Sequence, residues 1–133
     1  KKVLVEAKPE DIVTFMSVAG LPARAVRTPW LANYLEKEEK LQRIAKQRPC
    51  TVGFDCLASC GLRDGISKHG QFCIDTQLAF ALAGDIKRGL FFRGSEKLPF
   101  GHAIRSVREL MEYLLSDSPV LSNKVELIRV TLS

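Results

Sequence analysis

Residues 49–101, PCTVGFDCLASCGLRDGISKHGQFCIDTQLAFALAGDIKRGLFFRGSEKLPFG, contain all four cysteines of the chain and its one dense aromatic cluster. Between Cys50 and Phe72 neither a helical nor a strand period holds, because Gly53, Gly61, Gly65 and Gly70 interrupt it. The stretch therefore reads as loop with short turns, one of them around residues 56–60. A structureless segment inside a small domain needs something to hold it or a function to justify it. Beyond it, Asp75 or Thr76 stands where an N-cap would be, ahead of a helix carrying Leu78, Ala81, Leu82 and Ile86. Gly84 to Gly89 supply its stop signal. Leu90, Phe91 and Phe92 then form a short strand candidate before a Pro99-Phe100-Gly101 turn.

Working outward, residues 1–8 (KKVLVEAK) read as the last turns of a helix that Pro9 ends, since its ring disfavours the α conformation at Lys8. With no initial Met, the expectation is a piece of a longer chain. Residues 12–16 (IVTFM) are apolar and β-branched, which predicts a buried strand. Gly20 and Pro22 make residues 17–28 a loop with at most one helical turn. Thr28 before Pro29 is an N-cap followed by Pro at the first helical position. Trp30, Leu31, Tyr34, Leu35, Leu41, Ile44 and Ala45 then share one side of a 3.6-residue repeat, predicting a helix that runs to Arg48-Pro49. The Trp30/Tyr34 pair reads as core packing, with ligand stacking as the alternative.

Downstream, Ser106-Val107-Arg108-Glu109 fits a capping box, and Val107, Leu110, Met111, Leu114 and Leu115 recur at helical spacing. After Pro119 the near-alternation of Val125, Leu127, Val130 and Leu132 leaves edge strand and helix both open.

At 133 residues and 14.8 kDa the chain suits one modest domain, and 46% hydrophobic with 26% charged residues is a globular composition. No apolar run approaches the roughly 18–20 residues that span a bilayer, so no membrane partner is expected. Nor does the start resemble a signal peptide. The net charge of +5 invites a nucleic-acid reading, but Lys and Arg are scattered. Their densest run, residues 36–48 (EKEEKLQRIAKQR), mixes both signs as a solvated helix face does. No nucleic-acid partner is expected. Four cysteines without a secretion signal favour a reducing, cytoplasmic setting, where structural disulfides are rare.

The cysteines fall as C-x5-C-x3-C-x12-C, at Cys50, Cys56, Cys60 and Cys73. Four thiolates on a glycine-rich loop suit tetrahedral zinc or an iron–sulfur cluster, although neither usually lacks C-x2-C knuckles. Buried free thiols and a redox pair remain alternative readings. His69, in a Lys-His-Gly turn, reads as solvent-facing, with a ligand role as its alternative, and His102 is weakly placed for either. There is no Walker loop, G-x-G-x-x-G, H-E-x-x-H or G-x-S-x-G. Arg93-Gly94-Ser95 joins a cation to a glycine turn and is the one candidate anion site. Asp75 and Asp85 read as a cap and a helix-end charge.

Two stretches together resemble the late region of the nitronate monooxygenase (2-nitropropane dioxygenase) family. They are residues 8–31, KPEDIVTFMSVAGLPARAVRTPWL, and residues 56–115, CLASCGLRDGISKHGQFCIDTQLAFALAGDIKRGLFFRGSEKLPFGHAIRSVRELMEYLL. The matching pieces are the Gly20-Leu21-Pro22-Ala23-Arg24 loop, the cysteine pair before Phe72-Cys73-Ile74, and the helix leading to Gly84-Asp85. The Phe92-Arg93-Gly94-Ser95 turn and the Ser106-Val107-Arg108-Glu109-Leu110-Met111 helix also match. The resemblance implies an FMN-dependent oxidoreductase on a (β/α)8 barrel that oxidises alkyl nitronates or uses NAD(P)H as a flavin reductase. It implies that this chain is the carboxyl-terminal portion, α+β and mostly helical, with the FMN-phosphate loops and catalytic histidine upstream. The isolated piece is then expected to be inactive.

In that picture residues 1–31 end the barrel region, residues 32–115 form a helical cap with the cysteine loop, and residues 116–133 are a tail. Its partners would be the upstream barrel and a small-molecule substrate, and apolar surface left uncovered would favour self-association. Arg93, Gly94 and Ser95 would come nearest the flavin and substrate, beside Leu21 to Arg24.

Overall fold

Ile12–Met16 forms β1, whose pattern of burial turns Phe15 inward and Thr14 outward as an extended chain requires. It pairs antiparallel with β2, Pro22–Val26, in the register Ile12↔Val26 through Met16↔Pro22. The sequence reading made residues 17–28 a loop, and β2 corrects it. Pro22 does not block the strand because it takes the first position, where a missing N–H costs least. The connection is tight. Ser17 N–H donates to Leu21 O at 2.9 Å, Ser17 Oγ accepts from Leu21 N at 3.1 Å, and Gly20 turns the chain at φ +85°.

The computed structural model that shows this describes residues 2–96, 99–101 and 103–116. The order of elements is α1 (Lys2–Glu6), a 3₁₀ turn at Pro9–Asp11, β1, β2, α2 (Pro29–Arg43), α3 (Gly61–Asp64), α4 (Ile74–Leu82) and α5 (Val107–Ser116). The described part of the chain is thus a small α+β protein with five helices and a two-stranded sheet. None of its helices is long and apolar enough to cross a membrane. The chain separates into two compact units, residues 1–96 and 97–133, a boundary inside the stretch 32–115 that the sequence suggested as one cap.

In the first unit, α2 starts where the sequence places it: Thr28 Oγ1 accepts from Leu31 N and Pro29 is at N1. The same hydroxyl donates to Gly89 O at 3.1 Å, tying the cap to a distant loop. The helix stops at Arg43, short of the Arg48-Pro49 end expected from periodicity, and Ile44 is exposed. The reason lies in tertiary packing. The chain at Lys46 and Gln47 runs against Gly65, where a β-carbon would collide with it, and Arg48 N–H donates to Arg63 O.

The chain bends at residues 57–59, within the turn expected around 56–60, and a helical turn that the sequence did not signal follows at Gly61–Asp64; α4 is capped by Cys73 rather than by Asp75 or Thr76. Of the strand candidate at 90–92, only Phe92 pairs, as an isolated antiparallel bridge to Ala25. The core gathers Phe15, Ala25, Leu31, Tyr34, Phe72 and Leu90, with Trp30, Leu35 and Ile74 against it. Trp30 stacks on Tyr34 at 5.7 Å and both present edges to Phe72, which makes the pair part of the core.

In the second unit the capping box forms as expected. Ser106 Oγ accepts from Glu109 N, and Ser106 N donates to Glu109 Oε2 at 2.8 Å. Phe100 meets Tyr113 edge-on at 5.7 Å. Val107, Met111 and Leu114 of α5 are exposed. His102 and the strand-or-helix question at 125–132 lie outside the described residues.

Candidate functional site

Two places hold the residues that could carry chemistry. The first is a cleft of about 370 Å³, open to solvent, onto which all four cysteines face together with Val52, Leu57 and Ile74. Cys60 precedes α3 and Cys73 precedes α4, so the helices fix both thiols, whereas Cys50 and Cys56 are exposed on the irregular segment between. Cys60 Sγ accepts from Arg63 N, and Cys50 Sγ donates to Phe54 O, both at 3.4 Å. Burial pushes the Cys73 thiol up, but the Thr51 and Thr76 side chains and the first amides of α4 outweigh it, leaving its pKa below the ordinary value. Desolvation, then the neighbouring Cys73, Asp75 and Cys50, raise that of Cys56. Among the described residues no three Cys, His, Asp or Glu side chains stand together as a metal-holding group.

Arg63 organises the wall of this cleft, and the sequence reading missed it. Its guanidinium donates to Asp64 Oδ1 at 2.7 Å and Oδ2 at 2.9 Å, to Asp55 Oδ1 at 2.9 Å, and to the carbonyls of Leu57 and Ala58. The hydrogen bonds from Arg63, then the Cys60 N–H at 2.8 Å, hold the Asp64 carboxyl at about 2. The hydrogen bonds to Asp64 in turn raise the Arg63 pKa. The only sequence signal was an Arg-Asp pair just after the last loop cysteine, which is too common to single out.

The second place is Arg93-Gly94-Ser95. Val26 N–H donates to Phe91 O at 2.9 Å, Phe92 bridges Ala25, and Arg93 N–H donates to Arg24 O at 3.2 Å, so the turn leaves directly from the edge of β2. Arg93 is half-buried. Its Nη2 donates to Glu96 O at 3.4 Å, while Nε and Nη1 are buried without a partner among the described residues. Such donors are costly to leave unpaired. Gly94 has open space where a β-carbon would stand, and Gly94 and Ser95 form no phosphate cradle of their own.

His69 does not face solvent as the sequence suggested. Its ring lies over Gly20, where any β-carbon would overlap it, and its Nδ1 is buried without a partner. Gly61 and Gly70 complete the node through Gly61 N–H to Val18 O at 2.7 Å and Gly70 N–H to Ser17 O at 2.9 Å. Asp85 takes the Lys87 and Arg88 amides and the Arg88 guanidinium, a helix-end role as read from the sequence. Compared with family models, curated proteins and solved structures, the chain matches none.

Proposed function

We propose that this chain is the carboxyl-terminal portion of an FMN-dependent oxidoreductase of the nitronate monooxygenase kind, acting on small anionic substrates such as alkyl nitronates. In this reading the catalytic centre belongs to an upstream (β/α)8 barrel and the chain supplies a cap over its mouth. FMN, when bound, supplies the electron-transfer chemistry, with its phosphate held outside this chain. The observation that carries the reading is the adjacency of two motifs distant in sequence. Gly20 to Arg24 and Phe92 to Ser95, singled out by resemblance, are neighbours through Arg93 N–H to Arg24 O and the Ala25–Phe92 bridge.

The chemistry of Arg93 fits that role. A nitronate carries its negative charge on two oxygens, and the Arg93 guanidinium, with Nε and Nη1 unpaired among the described residues, offers charge-assisted donors to such an anion. Arg93 would bind and orient the substrate rather than react with it. The exposed Val107, Met111 and Leu114 of α5 suit a segment that packs against more of the same protein.

Oxygen uptake driven by an alkyl nitronate, measured on the complete parent protein, tests the reading. Arg93→Met is expected to raise KM about tenfold, the worth of one charge-assisted hydrogen bond, while bound flavin stays unchanged. Absence of nitronate-dependent uptake in the flavin-loaded parent would overturn it.

A further inference from the structure

The cysteine cleft is independent of the flavin reading and has its own logic. Four thiols spread from Cys50 to Cys73 converge on one cleft, and they are all the cysteines the chain has. Chance burial would scatter them. The segment between them is weakly held: among the described residues, none of residues 50–59 gives or takes a backbone-to-backbone hydrogen bond. Its side-chain attachment to the rest of the chain is the Arg63 guanidinium, which reaches Asp55, Leu57 O and Ala58 O, while the Cys50 thiol on Phe54 O lies within the segment. Phe54 is exposed, so burial does not hold the segment either. Such a loop lacks a staple.

We propose that the cleft is a structural site for one thiophilic divalent cation, zinc, ligated by Cys50, Cys56, Cys60 and Cys73. Cys60 and Cys73 stand fixed ahead of α3 and α4, and Cys50 and Cys56 ride on the irregular segment. The four are not at ligand geometry in this structure, so closure moves the two loop thiols toward the two anchored ones. Each S–H that becomes a Zn–S bond releases its proton to solvent, and the binding free energy orders the loop. The wall of Val52, Leu57 and Ile74 would exclude water from the centre.

The test is titration of the reduced, metal-free full chain with Co²⁺ under anaerobic conditions, followed by displacement with Zn²⁺. The expected result is one equivalent bound, with an intense thiolate-to-cobalt charge-transfer band and tetrahedral visible bands that zinc abolishes. Native mass spectrometry should show one zinc per chain, and the zinc form should resist thiol alkylation at all four positions. Cys50→Ser and Cys73→Ser should each weaken binding more than about a hundredfold, beyond what second-shell changes cause. The wild-type stoichiometry and alkylation pattern need no variant, so a misfolded mutant leaves the test intact. No saturable uptake, a spectrum without thiolate bands, iron with acid-labile sulfide in place of zinc, or a disulfide between two of the four would each overturn the assignment.

Discussion

Asp64 shows how a single side chain sets the local chemistry. Two donors from Arg63 and the Cys60 amide hold its pKa at about 2 against an ordinary 3.8. Because the folded value lies below the unfolded one, its stabilising contribution is complete above the ordinary value. It is lost as pH falls through about 2. A ¹³C titration of the Asp64 carboxyl should therefore find its midpoint near about 2, and a midpoint near 3.8 would contradict the bidentate pair. The glycines divide just as sharply. Gly20→Ala must put a side chain at φ +85° and into the His69 ring, so it should cost more than the roughly 1–2 kcal/mol of left-handed backbone alone. Gly94→Ala meets open space and should change stability by less than about 0.5 kcal/mol in a denaturant melt. Equal effects at the two positions would contradict this division. The sequence shows nine glycines and no way to tell these two apart, because the difference lies in what each approaches across the fold.

At the scale of elements, legibility followed how local the cause was. The Thr28-Pro29 start of α2 and the Ser106 capping box are set by adjacent residues, and both were readable. The end of α2 was not, because Gly65 and Arg63, far along the chain, draw residues 46–48 away from the helix. β2 was hidden for a similar reason: Gly20 and Pro22 signal a loop, and only pairing with β1 makes residues 22–26 a strand. Arg63 fastens the cysteine loop from a distance in the same way. Arg63→Ala should leave the core intact and speed proteolysis and amide exchange within residues 50–60 selectively, since its five donor contacts end there or on Asp64. Uniform loss of protection across α2 and β1 would instead make Arg63 a global stability residue. By contrast, Leu31→Ala strikes the centre of the core, where the side chain is fully buried, and should cost about 2–5 kcal/mol in a thermal or denaturant melt. A loss under about 1 kcal/mol would mean the site collapses to fill the gap.

For the whole molecule, the candidate sites were legible as residues and not as places. The spacing of the cysteines named Cys50, Cys56, Cys60 and Cys73 but gave no sign that they share a cleft with Arg63 as its frame. Arg93-Gly94-Ser95 stood out as a cation beside a glycine, while its attachment to Arg24 depended on β2, the strand the sequence concealed. That attachment joins the two motifs on which the flavoenzyme reading rests, and under that proposal Arg93 would face the substrate anion.

The most direct measurement is the visible absorption spectrum of the complete parent protein as purified, with the chromophore released by heat and identified. One FMN per chain is the expected result. A colourless, correctly folded parent that takes up no FMN on titration would contradict the flavoenzyme assignment and leave the thiol cleft as the chain's remaining chemical site.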